Sequence, residues 1–218
     1  MLVIHILDKV NSTNQWAFDN LTRINDSILS FEQSEGRGRG NRAWISPFGG
    51  LYFSFLSKRH QLLPFITGVS IIQALPDLAS ELRLKWPNDI ILSGKKLGGI
   101  LCQDDGNMAV IGIGLNFDNI PPLPNSISLS DSNFKADKTI FLNDFRTFFE
   151  SNFVISNEDI ISKYSSYDCL ISNQITWASG SGVAKSINPD GSLNVQTIDG
   201  TLNLYSEDVH LGEGVQDV

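Results

Sequence analysis

The chain has 218 residues, 41% of them hydrophobic, and a formal net charge of −8. That length buries a full core, with one main domain and a small appendage as the natural division, and the acidic balance tells against a nucleic-acid binder, which carries a basic face. Two widely separated cysteines, Cys102 and Cys169, lack CxxC or metal-ligand spacing, which argues against a disulfide scaffold or zinc site and for a reducing compartment.

Residues 2–7 are apolar, but the run is too short for a secretory segment or a membrane span, and Asp8-Lys9 ends it. It reads as a strand in a cytoplasmic protein with no membrane partner. Asn11-Ser12-Thr13-Asn14 then leads into a segment with Ala17, Leu21, Ile24 and Ile28 near helical spacing. Ser12 or a neighbour can cap that helix. The alternative is that these hydroxyls and the helix N-terminus bind a polar ligand group. Residues 28–31 read as a strand that delivers Gln33 to the next segment.

That segment is Glu35-Gly36-Arg37-Gly38-Arg39-Gly40-Asn41-Arg42-Ala43-Trp44. Its glycines let the backbone approach a ligand closely, and its arginines offer forks that match carboxylate and phosphate oxygens. Trp44 adds a flat face for a base. A solvated surface loop is the competing reading, so the rest of the chain has to decide.

Residues 51–56, rich in aromatic and apolar side chains, predict a central strand, and residues 65–75 a helix bounded by Pro64 and Pro76. Leu82 and Leu84 bring a strand up to Lys85-Trp86-Pro87-Asn88-Asp89, where Pro87 turns the chain. A Ser93-Gly94 turn leads into Lys95-Lys96-Leu97-Gly98-Gly99-Ile100-Leu101, a hairpin whose glycines signal a close backbone approach. Residues 108–117 form another apolar strand, with Gly112, Gly114 and Asn116. Pro121, Pro122 and Pro124 mark a surface connection. Phe141, Phe145, Phe148 and Phe149 follow helical spacing and read as core, and residues 159–170 predict a further helix. From Gln174 onward short β segments at 174–178, 183–187, 193–197 and 202–205 alternate with Gly180-Ser181-Gly182, Pro189-Asp190-Gly191 and Asp199-Gly200 turns, which predicts a small antiparallel barrel.

No Walker loop, dinucleotide fingerprint or nucleophile elbow is present, and the three histidines are scattered. What remains is chemistry driven by cations around an anionic centre, as nucleotidyl transfer requires. Ser12-Thr13-Asn14, Gln33, Gly36-Arg37-Gly38-Arg39 with Trp44, Lys85-Trp86-Pro87-Asn88-Asp89, Lys96-Leu97-Gly98-Gly99-Ile100 and Gly112-Ile113-Gly114-Leu115-Asn116 together resemble the biotin protein ligases. The resemblance spans the first two-thirds of the chain, in the family's order.

The resemblance implies an α/β (α+β) fold, a mixed β-sheet flanked by helices over residues 1–171, with an SH3-like C-terminal barrel over 172–218. It implies that biotin and ATP are joined as biotinoyl-AMP and the biotinoyl group then passed to a lysine of a biotin carboxyl carrier domain. Biotin is expected to meet Ser12, Thr13, Asn14 and Gln33, the closing loop Gly36, Arg37, Gly38 and Arg39, and Lys96. Arg37, Arg39 and Lys96 are the expected catalytic cations. Arg39, Trp44, Lys85, Asn88, Asp89, Gly99 and Asn116 are expected around ATP, with Mg entering on the phosphates near Asp89 and no dedicated metal site.

Two departures are small: Asn41 stands where a glycine is common, and Glu35 where a small neutral residue is frequent. The ligand motif begins at Ser12, which leaves no room for the helix-turn-helix module of biotin-responsive repressors, so a ligase without nucleic-acid binding is expected. A lipoate-type ligase and a non-catalytic biotin sensor are the alternatives.

Overall fold

A computed structural model describes residues 3–119, 123–132 and 134–212, with Asn41 described by its backbone alone. Leu2, Pro121 and Pro122 of the predicted elements lie outside the described residues. In chain order the elements are β1 (Ile4–Leu7), α1 (Thr13–Asn20), β2 (Ser27–Ser30), β3 (Leu51–Lys58), α2 (Leu63–Gln73), β4 (Leu82–Lys85) and β5 (Asp89–Leu92). They continue with β6 (Lys95–Asp104), β7 (Met108–Leu115), α3 (Lys138–Phe153), α4 (Asn157–Tyr167), β8 (Gln174–Trp177), β9 (Gly180–Ile187), β10 (Leu193–Thr197), β11 (Gly200–Leu204) and β12 (His210–Leu211). The chain divides into two compact units, one from residues 1–63 and 97–138, the other from 64–96 and 139–218. Among the described residues no helix is long and apolar enough to cross a membrane.

In the first unit β1, β2, β3, β7 and β6 lie side by side in that order. β1 and β2 run parallel and the other neighbours antiparallel, so the predicted mixed sheet is present. Helix α1 covers part of it, burying Ala17 and Leu21 against Ile28, Leu56 and Val110. Burial of this kind contributes about 1.5–3 kcal/mol for each large apolar side chain.

The sequence reading extended the α1 stripe to Ile24 and Ile28, but the helix ends at Asn20 with Leu21 as its C-cap. Asn25 then takes a φ of 71° and donates its N–H to Leu56 O at 2.8 Å. This turn leads into β2, which holds Ile28 in keeping with the strand expected over residues 28–31.

In the second unit β4 and β5 pair antiparallel, and the Ser93-Gly94 turn after β5 has positive φ at both residues, 48° and 77°. A two-residue turn of that hand matches strand twist. Helix α2 buries Phe65, Ile66, Val69, Ile71 and Ile72. The phenylalanines of α3 stack along one stripe, with Phe141–Phe145 and Phe145–Phe149 centroids 6.2 and 5.8 Å apart, and Phe148 is only half-buried. Helix α4 starts on a reciprocal cap, Ser156 Oγ accepting from Asp159 N and donating to Asp159 Oδ2.

The second sheet has five antiparallel strands in the order β11-β10-β9-β8-β12. The reading of Gly180-Ser181-Gly182 as a turn is corrected: these residues open β9 and pair with β8. Their glycines answer to crowding, since a Cβ on Gly182 would stand 2.5 Å from Gln196 O and one on Gly180 would stand 2.9 Å from the Trp177 ring.

Candidate functional site

The first unit assembles its sequence-predicted residues on one face of the sheet. Directly opposed residues of an antiparallel pair point to the same side, and the rows Ser54–Gly112–Leu101 and Tyr52–Gly114–Gly99 run across β3, β7 and β6. Three of those six positions are glycine, so much of the floor is bare backbone. Two side chains lie on it. Asn14 sits over Gly112, where a Cβ would come within 2.0 Å of Asn14 Oδ1. The indole of Trp44 sits over Gly114, where a Cβ would come within 2.6 Å of Nε1.

The N-terminus of α1 borders this floor. Ser12 caps the helix, its Oγ accepting from Gln15 N at 3.4 Å, and Ser12, Thr13 and Asn14 are all buried. Thr13 donates both its N–H and its hydroxyl to Gln33 Oε1, at 2.7 and 3.1 Å. Gln33 Nε2 donates to Ser46 Oγ at 2.8 Å, and Ser46 Oγ donates to Trp44 O at 2.9 Å. Ser54 Oγ lies 2.8 Å from Thr13 Oγ1 and 2.7 Å from Asn14 Oδ1. The two N–H donors of Asn14 reach Leu101 O and Gln103 Oε1, which ties the helix start to β6. The capping and ligand readings of Ser12 are thus compatible: the cap fixes the polar cluster in place.

The Gly/Arg loop closes on itself beside this cluster. Arg37 and Ala43 form an antiparallel bridge, Gly38 N donates to Arg42 O at 2.7 Å, and Trp44 N donates to Gly36 O at 2.8 Å. The left-handed step falls on Gly40, at φ 61°. Gly36 is packed tightly, since a Cβ there would stand 2.3 Å from Trp44 O and 2.5 Å from Ser46 Oγ. Arg37 reaches back to α1, its Nη1 donating to Gln15 Oε1 at 3.1 Å. Arg39 is half-buried, and its carbonyl accepts from Arg42 N and Nε at 3.2 and 3.1 Å.

Asn116 closes the end of β7. Its carboxamide donates to Ile127 O and accepts from Asn119 Nδ2, at 3.2 and 3.0 Å, so it organises the connection that follows the strand.

The second unit brings together the other predicted group. Lys85 and Asp89 face each other across the β4–β5 pair, and Lys96 Nζ lies 2.7 Å from Asp89 Oδ2. Lys85 is only 8% exposed, while Asn88, Asp89 and Lys96 are half-buried. The Trp86–Pro87 peptide between them is cis. Two nearby groups were not singled out in the sequence. Asp168 follows α4 and has its carboxyl pushed up to about 6 by burial, against the pull of backbone N–H groups. The Tyr164 phenol, fully buried, is raised by burial and by the Asp168 charge.

Ser46 and Ser54 were also missed. A signal existed for Ser54, the single serine in the otherwise aromatic and aliphatic run Leu51-Tyr52-Phe53-Ser54-Phe55-Leu56. Among the described residues no group of three or more His, Cys, Asp or Glu side chains is placed to hold a metal ion.

The arrangement suits a ligand with a polar head, held by Thr13, Gln33 and Ser54, and a flat partner lying beside Trp44. The profile of the biotin/lipoate A/B protein ligase family matches residues 6–118. The bifunctional ligase/repressor BirA of Escherichia coli (strain K12) is 35% identical over 128 residues, covering 52% of this chain and 40% of that protein. The biotin–[acetyl-CoA-carboxylase] ligase of Paracoccus denitrificans is 32% identical over 133 residues, covering 53% and 55%. The matches thus span about half or less of these relatives' lengths. The biotin protein ligase from Aquifex aeolicus, solved in complex with biotin and ATP, superposes with a TM-score of 0.87 at 23% identity, over 97% of this chain and 100% of that one. That likeness concerns the fold.

Proposed function

The chain belongs to the biotin/lipoate A/B protein ligase family, and on that footing we propose that it is an ATP-dependent biotin protein ligase. It joins biotin to ATP as biotinoyl-5′-AMP and passes the biotinoyl group to a lysine of a biotin carboxyl carrier domain. The observation that carries this reading is the polar cluster of buried Thr13 and Ser54 with half-buried Gln33 at the edge of a glycine floor, with the Arg37 loop folded back onto α1. A small neutral head group rich in donors and acceptors, such as the ureido ring of biotin, matches that cluster. The name of the P. denitrificans relative supports a carboxylase carrier as acceptor.

In the first step a carboxylate oxygen of biotin attacks the α-phosphorus of ATP and pyrophosphate leaves. Both reactants are anionic, and their repulsion is the obstacle. Arg37, Arg39 and Lys96 offset it as charge builds on the phosphoryl oxygens, an effect that is largest where water is excluded. Ser12, Thr13 and Gln33 hold the biotin head, with Asn14 tying their helix to the sheet. Gly36 and Gly38 let the loop approach the ligand. Trp44, Gly99 and Asn116 serve the adenosine end, and Lys85, Asn88 and Asp89 the phosphates. Asp89 is the carboxylate nearest that role, which fits a magnesium ion carried chiefly by the triphosphate; when bound, such an ion neutralises phosphate charge. In the second step the carrier's lysine amine attacks the acyl carbon and AMP leaves, with no protein nucleophile involved. The closed loop shields the mixed anhydride from water in between.

The second sheet corresponds in this reading to the family's SH3-like domain, with the ligase domain over residues 1–171 and the small domain over 172–218. Incubation of a carrier domain with this protein, ATP and biotin, followed by mass spectrometry, tests the proposal: ATP-dependent labelling of one lysine is expected, and an unmodified carrier overturns it. ATP–pyrophosphate exchange run with lipoate in place of biotin separates the lipoate-type alternative, which predicts exchange with lipoate alone.

A further inference from the structure

Strand β4 carries Lys85 and is held along both edges within the second unit. On one side it pairs with β5, which sets Lys85 against Asp89. On the other it makes a single parallel bridge, Leu84 to Asp168, in which Cys169 N donates to Leu84 O at 2.9 Å. Asp168 is the C-cap of α4. Its Oδ1 accepts from Leu170 N and Ile171 N at 2.8 and 2.9 Å, and the backbone N–H of Trp86 also acts on the carboxyl. Its Oδ2 is shut off from solvent and accepts no hydrogen bond among the described residues.

A carboxylate oxygen left in that condition is costly. A group kept in spite of that cost is a candidate for function. The groups around it are the Tyr164 phenol and the Cys169 thiol, both raised by burial and by the Asp168 charge, with Asp89 and Lys85 acting on the same thiol.

The residue just past the end of β4 is fixed by a second contact. The Trp86 indole is 2% exposed, and its Nε1 donates to Gly191 O at 2.9 Å. That carbonyl belongs to a preset turn of the second sheet: Asn188 N donates to Ser192 O, Gly191 N to Asn188 O, and both Ser192 N and Ser192 Oγ to Asp190 Oδ1. Trp86 lies between Lys85 and the Pro87-Asn88-Asp89 turn, so the two contacts fix the backbone from which Lys85, Asn88 and Asp89 project.

We propose that Asp168 is a positioning residue for the Lys85-to-Asp89 segment, acting from the edge of β4 opposite β5 in concert with the Trp86–Gly191 hydrogen bond. The assignment rests on the ligase reading and deepens it: the elements after α4 serve the ATP half of the reaction, not biotin capture.

The test is Asp168→Asn. The amide oxygen keeps the two N–H donors at Oδ1, and the amide nitrogen takes the Oδ2 position and removes the charge. The KM for ATP in biotin-dependent ATP–pyrophosphate exchange is expected to rise tenfold or more, while the Kd for biotin, measured by calorimetry, stays within twofold. Backbone amides of residues 82–92 are expected to exchange hydrogen faster. A purely structural role moves both substrates together or neither. If the active wild type has an Asp168→Asn variant whose ATP and biotin constants change equally, or do not change, the assignment falls while the ligase reading stands. A wild type with no biotin-dependent exchange removes both. Should Asp168→Asn fail to fold, Trp86→Phe, which deletes the indole donor, carries the same test: a rise in the KM for ATP without loss of biotin affinity supports the assignment, and its absence overturns it.

Discussion

Asp89 holds the Lys96 ammonium at 2.7 Å while facing Lys85 across the strand pair. A phosphate entering this group would compete with the Asp89 carboxylate for Lys96. A part-exposed ion pair of this kind is worth about 0–1 kcal/mol to stability, so its value lies in orientation.

Lys96→Ala is therefore expected to leave the melting temperature nearly unchanged and to slow biotin-dependent ATP–pyrophosphate exchange by about 10²–10³-fold, the usual loss when a preorganised transition-state contact is removed. Unchanged exchange would remove Lys96 from the mechanism.

Ser54→Ala removes a fully buried hydroxyl that lies within hydrogen-bond distance of Thr13 and Asn14. Its loss is expected to lower stability by about 1–2 kcal/mol and to weaken biotin binding several-fold, read by urea unfolding and by calorimetry.

Gly112→Ala places a Cβ within 2.0 Å of Asn14 Oδ1. The Asn14 carboxamide has to move, and with it its bonds to Leu101 O and Gln103 Oε1, at a cost of about 1–3 kcal/mol. Biotin affinity is expected to fall together with stability, and a variant with unaltered affinity would separate Asn14 from the biotin site.

Arg39→Gly keeps the carbonyl that accepts from Arg42 N and Nε and deletes the guanidinium. A charge-assisted hydrogen bond contributes about 1.5–3 kcal/mol, so biotinoyl-AMP is expected to escape about tenfold faster or more. Release of the adenylate in the absence of carrier, followed by chromatography, measures this.

The Asp168 carboxyl, raised from 3.8 to about 6, predicts a pH dependence with a definite sign. Between about pH 4 and pH 6 the folded protein keeps a proton that the unfolded chain has released. Stability from this group is therefore highest below pH 4, falls as pH rises through that window, and is level above it. The full change is about 3 kcal/mol at most. Asp168→Asn lacks it, so the variant should gain on the wild type as pH rises from 4 to 6 in urea titrations.

The motifs that carry chemistry were legible because their residue types are costly elsewhere: glycines inside strands, arginines between glycines, and a lysine beside a Trp-Pro turn. The strands were legible from apolar runs, and the short hairpins of the second sheet from their turn residues. What escaped has a physical reason in each case. The end of α1 depends on Asn25 and its bond to Leu56 O, a contact 31 residues away in the sequence. Gly180 and Gly182 looked like turn residues because a glycine demanded by a crowded neighbour and one demanded by positive φ are the same letter. Asp168 carried no pattern at all, since an acid after a helix is ordinary until the fold shuts its second oxygen away.

The floor made by Gly99, Gly112 and Gly114 has a thermodynamic corollary. Over Gly112 and Gly114 the protein's own Asn14 and Trp44 side chains already lie against the sheet, so their rotamers are fixed on folding and a flat molecule settling beside them freezes few more.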